Sequence, residues 1–395
     1  MIVKDILTSH KQGFYKPGKQ KDGNVHFVRI SDINNSFYLD ADSTPMISAD
    51  KSDIERFAIK KDDFLFARTG GAGRFCLIEE DLNGIFASYL IRFRFNNQND
   101  SNFLRYFFMS DSFQKELKSK IHGGVNQNVH AENIKDCTVP EIELPQQKQI
   151  VTILDKAFAA IDTAKANAEQ NLQNAKELFE SYLQNVFENK GDDWEEKTLG
   201  QVTSKIGSGA TPRGGKASYK EEGISLIRSM NVHDFYFKKK NLAFIDDEQA
   251  KALSNVTLQE KDVLLNITGA SIARCCMIPK EYIPARVNQH VSIIRAKKEI
   301  INPVFLASLL TSKYFKDQIL EIGEQGATRQ AITKVQLENF NISYPKEIEE
   351  QEKVIKNINS IKAETKKLEA IYTQKLADLD ELRKSVLQKA FKGEL

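Results

Sequence analysis

IVTILDKAFAAIDTAKANAEQNLQNAKELFESYLQNV (150–186) and VIKNINSIKAETKKLEAIYTQKLADLDELRKSVLQKA (354–390) decide the architecture of this 395-residue chain. The first carries an apolar seam of Ile150, Leu154, Ala157, Ile161, Ala164, Ala168, Leu172, Ala175, Phe179, Tyr182 and Val186. The second repeats it 204 residues later at every step, as Val354, Ile358, Ile361, Thr365, Leu368, Tyr372, Leu376, Leu379, Arg383, Val386 and Ala390. Steps of four and three residues, uninterrupted by Pro or Gly, are the signature of coiled-coil helices. At 1.5 Å per residue, each stretch predicts a helix of ~40 residues and ~60 Å. In both, one step of four follows another, at Ala168 and at Tyr372, a stutter that locally unwinds a supercoil. Read outward from these centres, the spacing is the same in both directions, and a palindromic seam suits antiparallel pairing. The expected register sets Ala168 opposite Tyr372, Ile150 by Ala390, Leu154 by Val386, Ile161 by Leu379, Leu172 by Leu368, Phe179 by Ile361, Tyr182 by Ile358 and Val186 by Val354.

What precedes each helix is also repeated. KKDDFLFARTGGAGRFC (60–76) answers to QEKDVLLNITGASIARCC (259–276), with Asp63, Thr69, Gly70 and Cys76 falling on Asp262, Thr268, Gly269 and Cys276. A repeat of this length is far beyond a solenoid unit of ~20–50 residues, so the reading is two similar domains. The expected division is domain one at 1–143, first long helix at 144–190, domain two at 191–346 and second long helix at 347–395. Runs such as HFVRI, DDFLFA and LIRFRF, and ISLIRS, KDVLLNI and VSIIRA, read as strands, while FLRYFF and FLASLL read as a late helix in each domain. The expected fold is α/β (α+β): each domain is built on a twisted, mostly antiparallel sheet. The two domains are related by a pseudo-twofold axis and joined by two long antiparallel coiled-coil helices.

Composition narrows the function classes. The chain has 56 Lys and Arg against 54 Asp and Glu, so an anionic partner must be met by local clusters rather than by overall charge. No apolar run approaches the ~20 residues needed to cross a bilayer, and a cytoplasmic protein with no membrane partner is expected. Four cysteines, at 76, 137, 275 and 276, lack metal-ligand spacing and read as small buried residues. GSGATPRGGKAS (207–218) misses a phosphate-binding loop, because Gly215 intervenes before Lys216 and Ala217 stands where a hydroxyl is needed. The six histidines form no HExxH or HxH pair, so no metal site is expected. Asp63 and Asp262, which precede strands, read as turn residues rather than catalytic acids. The sequence therefore points away from an enzyme and toward binding.

The loops carry side chains suited to nucleic acid. Arg213, Lys216 and Lys220 flank a glycine turn, Arg228 and Asn231 follow the ISLI strand, and Lys238, Lys239 and Lys240 form a basic run, with Arg29 and Asn34 in the corresponding part of domain one. Asn126, Gln127 and Asn128, and their counterparts Thr328, Arg329 and Gln330, follow loop glycines where backbone can approach a ligand closely. Arginine and lysine neutralise phosphates or read guanine, and asparagine and glutamine read adenine edges. Residue by residue, solvated surface is the alternative.

SGATPRGG followed by GISLIRSMNV (223–232), DVLLNITGAS (262–271), GATRQAIT (326–333), LPQQKQIVTIL (144–154), EEQEKVIKNI (349–358) and the terminal LRKSVLQKAFKGEL (382–395) together resemble the specificity subunit of type I restriction-modification systems. Domain one departs from that pattern, with KQGFYKPGKQ (11–20) in place of the TP turn and GGVNQNV (123–129) for GATRQAI. The resemblance implies two target-recognition domains, each reading one half of a split double-stranded DNA sequence. It implies paired helices that space the domains and dock two modification subunits, and restriction subunits in the full complex. S-adenosylmethionine would belong to the modification subunits, ATP and Mg to the restriction subunits, and no cofactor to this chain. Two other readings stand beside it: the recognition part of a related methylating restriction system outside type I, and a coiled-coil scaffold that spaces two protein-binding domains.

Overall fold

The computed structural model describes residues 1–15, 23–34, 37–69, 71, 73–121, 128–324 and 331–395. They form two compact units, Met1–Glu169 with Gln374–Leu395, and Gln170–Thr373. The first long helix runs over Leu144–Glu188 and the second over Ile348–Lys392, 45 residues each, so each unit holds one globular domain and part of both helices.

Within the first unit the helices run antiparallel. Arg383 donates to Asp162 at 2.6 Å and Lys165 to Asp380 at 2.7 Å, so rising numbers on one helix meet falling numbers on the other. These exposed pairs are worth only ~0.2–1 kcal/mol each. Apolar burial does more: Ile150, Leu154 and Ile161 share one core with Leu387 and Ala390, with Leu379 and Val386 packed on it. In the second unit Phe179, Tyr182 and Val186 pack with Val354 around a core containing Leu183, Phe187 and Ile358. None of the sixteen seam residues Ile150, Leu154, Ile161, Ala168, Leu172, Phe179, Tyr182, Val186, Val354, Ile358, Ile361, Leu368, Tyr372, Leu376, Leu379 and Val386 is exposed. Two seam positions are polar, and each is accommodated. Thr365 donates its hydroxyl to the Lys362 carbonyl at 3.2 Å, and the Arg383 guanidinium lies 4.3 Å from the centre of the Phe158 ring.

The two globular domains share the same pair of sheets. In the first, β1 (Leu7–Gln12), β7 (Leu90–Phe95), β4 (Phe64–Ala67) and β5 (Phe75–Leu77) form an antiparallel sheet in that order, and β3 (Met46–Ile47), β2 (Val25–Val28) and β6 (Gly84–Phe86) form a second sheet. In the second, β8 (Trp194–Thr198) pairs with β18 (Asn341–Pro345) at the foot of the domain. There β9 (Thr203–Ser208), β17 (Val291–Ala296), β14 (Val263–Asn266) and β15 (Cys275–Met277) reproduce the first sheet, and β13 (Ala243–Ile245), β10 (Ile224–Ile227) and β16 (Ala285–Val287) reproduce the second. A short ribbon of β11 (Val232–His233) and β12 (Tyr236–Phe237) is added. The expected antiparallel sheet is therefore only part of each domain, because β2 with β6 and β10 with β16 pair in parallel. Parallel neighbours need a crossover connection, here the chain that includes β4 and β5, or β14 and β15, of the larger sheet.

Alternation along the central strands explains the layering. Phe64 and Phe66 of β4 face a core shared with the helix Ser101–Met109, whereas Leu65 and Ala67 face the smaller sheet through Val28 and Phe86. In domain two, Val263 and Leu265 face the helix Pro303–Thr311, and Leu264 faces Leu226, Ile227 and Val287. The four cysteines are buried in these cores. Burial pushes the thiols of Cys137 and Cys276 up to about 12, so they stay protonated.

Two polar clamps fix the scaffold, and each occurs in both domains. Gln147, at the start of the first long helix, accepts the Asp100 N–H at 2.8 Å and donates to the Ile142 carbonyl at 2.8 Å. Gln351 accepts the Asn302 N–H at 2.7 Å and donates to the Ile300 and Pro345 carbonyls. Asp63 and Asp262 are turn residues, accepting the backbone N–H of Lys60 at 2.9 Å and of Gln259 at 2.7 Å, and each is also half of a buried ion pair. Arg94 donates to Asp63 at 2.9 Å, and Arg295 donates to both oxygens of Asp262 at 2.7 Å. Asp262→Asn would keep the size and the turn but strand a cation. Breaking a buried pair costs ~3–5 kcal/mol, and the lower end is expected because the Arg295 side chain retains 21% exposure. Denaturant unfolding of the variant measures this, and a loss under ~1 kcal/mol would show that water already satisfies the pair.

Candidate nucleic-acid interface

In domain two, β10 delivers Arg228 to the rim of a groove lined by Lys216, Tyr219, Lys220, Met230 and Asn241. Gly214 at φ +92° and Gly215 at φ +58° adopt left-handed backbone that side-chain-bearing residues rarely tolerate, and they turn the loop so that Lys216 reaches this groove. The Arg228 guanidinium lies 5.3 Å from the Tyr219 ring centre and donates to the Asn241 carbonyl. Its buried Nε has no hydrogen-bond partner among the described residues. Lys220 sits 3.2 Å from Asp246 in an exposed pair. Arg213, Lys238 and Lys239 are exposed but do not line the groove.

Asn231 corrects one expectation. It is fully buried, its Oδ1 accepts the Arg228 N–H at 3.1 Å, and its Nδ2 donates to the carbonyls of Lys238 at 2.9 Å and Lys240 at 3.5 Å. With these bonds made inside the fold it does not read a base; it ties the basic loop to the end of β10.

Domain one presents the same frame with other chemistry. Arg29 follows β2 as Arg228 follows β10, and the turn residue capping it is Asp32, so Asp32 and not Asn34 is the counterpart of Asn231. Asn34 is exposed, and its Oδ1 accepts the Tyr38 N–H at 3.0 Å. Arg29 lines a groove with Phe14, Tyr15, Phe27 and Tyr89, of which Tyr15 and Tyr89 are exposed. A second groove gathers His10, Lys11, Gln12, Arg68 and His130. Burial first, and Lys135 second, lower the His10 pKa against an opposing effect of Glu132.

Arg68 and Tyr89 were not singled out from the sequence, although the repeat held a signal. The N–H of Arg68 donates to the Tyr89 carbonyl at 2.8 Å, and the N–H of Ile267 to the His290 carbonyl at 3.0 Å, so the pairs are equivalent. A cation in one copy thus stands where the other has an apolar residue. The carbonyls of Arg68 and Ile267 also anchor the segments after the polar loops, accepting the N–H of Val129 at 2.7 Å and of Ile332 at 2.9 Å. Asn128 is exposed beside that anchor, whereas Asn126, Gln127, Thr328, Arg329 and Gln330 lie outside the described residues.

The geometry is that of recognition by hydrogen bonds, charge and ring faces. Among the described residues no group of three His, Cys, Asp or Glu side chains could hold a metal ion, and no helix is long and apolar enough to cross a membrane. Segment 207–218 ends a strand and makes a short 3-10 turn rather than opening an α-helix, so it lacks the aligned N–H groups of a phosphate-binding loop. The tie made by Asn231 is open to direct test. Asn231→Ala should leave the Lys238 and Lys240 carbonyls short of a partner, cost ~1–3 kcal/mol and speed amide exchange over 238–242. Exchange rates there equal to those of the parent protein would mean that the loop is held by other contacts.

The family described as the type I restriction modification DNA specificity domain matches residues 2–174 and, a second time, residues 191–376. The specificity subunit of the type I restriction enzyme EcoKI of Escherichia coli strain K12 is 20% identical over 395 residues, covering 95% of this chain and 83% of that one. That of EcoBI, also from Escherichia coli, is 25% identical over 294 residues, or 68% of this chain, and the match spans 60% of that subunit's length. Among solved structures, the HsdS subunit from Thermoanaerobacter tengcongensis superposes with a TM-score of 0.65 at 18% identity, covering 100% of this chain and 96% of that one. A chain solved in work on complex assembly and conformational transition of the type I R-M system gives 0.76 at 19% identity, covering 100% and 97%. At such identities the structural likeness speaks for the fold alone. The two matches to the family, falling on two domains that share the same pair of sheets, place the protein in the type I restriction-modification DNA specificity family.

Proposed function

We propose that this chain is the DNA-specificity subunit of a type I restriction-modification complex and is not itself an enzyme. Each globular domain reads one half of a bipartite double-stranded DNA target, and the long helices set the spacing between the halves. One observation carries this reading: the framework is repeated while side chains at equivalent places on it differ, a part-exposed Arg68 against a buried Ile267 and an exposed Tyr89 against a half-buried His290. A repeated frame with unlike contacts suits two unlike half-sites, because sequence is read by side chains at base edges and not by the scaffold.

The helices suit the docking of two modification subunits. Leu178 and Leu382, at equivalent positions in the two helices, are exposed outside the seam and are available to such a partner. S-adenosylmethionine would enter with those subunits, and ATP with Mg would enter with restriction subunits.

Exchange of residues 1–143 for the corresponding domain of another specificity subunit tests the division of labour. Methylation mapping in cells carrying the chimera and its modification partner should show one half of the target changed and the other retained. A change in both halves, or in neither, would contradict it.

A further inference from the structure

In both domains an arginine directly follows the strand leading to the groove, and a three-residue 3-10 turn comes next. The last residue of that turn caps the arginine's own backbone: Asp32 Oδ2 accepts the Arg29 N–H at 2.8 Å, and Asn231 Oδ1 accepts the Arg228 N–H at 3.1 Å. The two capping side chains are nearly identical in size and differ by one charge. Asp32 has a further role, since its Oδ1 accepts Arg29 Nη2 at 2.7 Å and its Oδ2 accepts Nε at 3.1 Å. The Asp32 side chain is only 2% exposed while that of Arg29 is 45% exposed, so the carboxylate is fixed and the guanidinium is held onto it. Asn231 commits its amide to two carbonyls of the basic loop and leaves the Arg228 guanidinium its full charge. The surroundings follow the same division. Arg228 shares its groove with Lys216 and Lys220, whereas Arg29 is the one cation among the described residues of a groove rimmed by Tyr15, Phe27 and Tyr89.

We propose that the residue at this capping position decides which domain grips a phosphate: Asn231 frees Arg228 to hold one, and Asp32 withholds Arg29. The proposal rests on the reading of the chain as a DNA-binding subunit. To bind a phosphate, Arg29 would have to surrender a charge-assisted pair that already occupies its fork and leave a buried carboxylate without its partner. Arg228 has only a neutral carbonyl and a ring face to leave. Domain one would then meet DNA at this place through its aromatic rim.

The test uses the full-length protein, elution from heparin with salt, and the salt dependence of binding to a short random-sequence duplex. Asp32→Asn keeps the backbone cap, as Asn231 shows in domain two, and unfolding curves check that the fold is retained. Its elution should move to higher salt and its log Kd against log salt should steepen by about 0.9, the increment for one phosphate contact. In Asp32→Asn with Arg29→Gln that gain should disappear. Arg228→Gln should elute earlier with a slope shallower by about 0.9, and Arg228→Lys should keep the parent slope. A gain from Asp32→Asn that is as large with Gln at 29 as with Arg would show mere loss of negative charge and overturn the proposal. So would an unchanged slope in Arg228→Gln. Shifts on heparin without any binding of duplex would sink the DNA reading and leave the anion assignment standing; duplex binding without the shifts would sink only this assignment.

Discussion

Burial of the helical face of each domain against paired segments of both long helices is the constraint on which the structure depends. In the first unit, Phe391 of the second helix packs on Phe103 and Phe107 at ring separations of 5.5 and 5.4 Å, while Phe158 of the first helix packs edge-on to Tyr106. In the second unit, Phe187 meets Trp194 and Phe305, and Phe179 meets Phe235. Aromatic side chains contribute most of such an interface, and truncating one buried ring costs ~3–5 kcal/mol. A chain segment far away in sequence, around Phe391, therefore completes the first domain, whereas the second is completed by the helix ends that flank it, and the polar ties of Gln147 and Gln351 aim the helices as they leave the domains.

On that frame the rim is free to diverge. The Asp–Arg clamps, the helix caps and the alternating strands depend on buried partners and recur in both domains. Around the grooves, Arg29, Arg68 and Tyr89 in one domain and Lys216, Lys220 and Arg228 in the other reach solvent. There the two copies part: a guanidinium neutralised by Asp32 in one and left charged beside Asn231 in the other, and a rim of tyrosine rings in one against lysines in the other. The proposed reading of two unlike half-sites needs this combination of a fixed frame and unlike rims.

The seam was legible in the sequence because a coiled-coil period is written in single residues, and none of its positions is exposed. The central strands were legible because period-two apolar runs such as FLFA and VLLN have few other solutions. The parallel pairs β2 with β6 and β10 with β16 were not, since a three-residue strand leaves almost no local pattern and its partner is fixed by a crossover. The roles of Asn231 and Asp32 were hidden for a related reason. Both side chains suit a base as well as a backbone cap, and only burial separates the uses. Arg94 and Arg295 looked like ordinary strand residues until their partners, about thirty positions away, were placed against them.

Long-read mapping of methylated adenines in genomic DNA, from cells that carry this chain with its modification partner, tests the central claim most directly. The account predicts a target of two short specified segments of different sequence, separated by an unspecified spacer of constant length, with methylation lost when the chain is deleted. A contiguous or palindromic target, or methylation indifferent to the deletion, would contradict it.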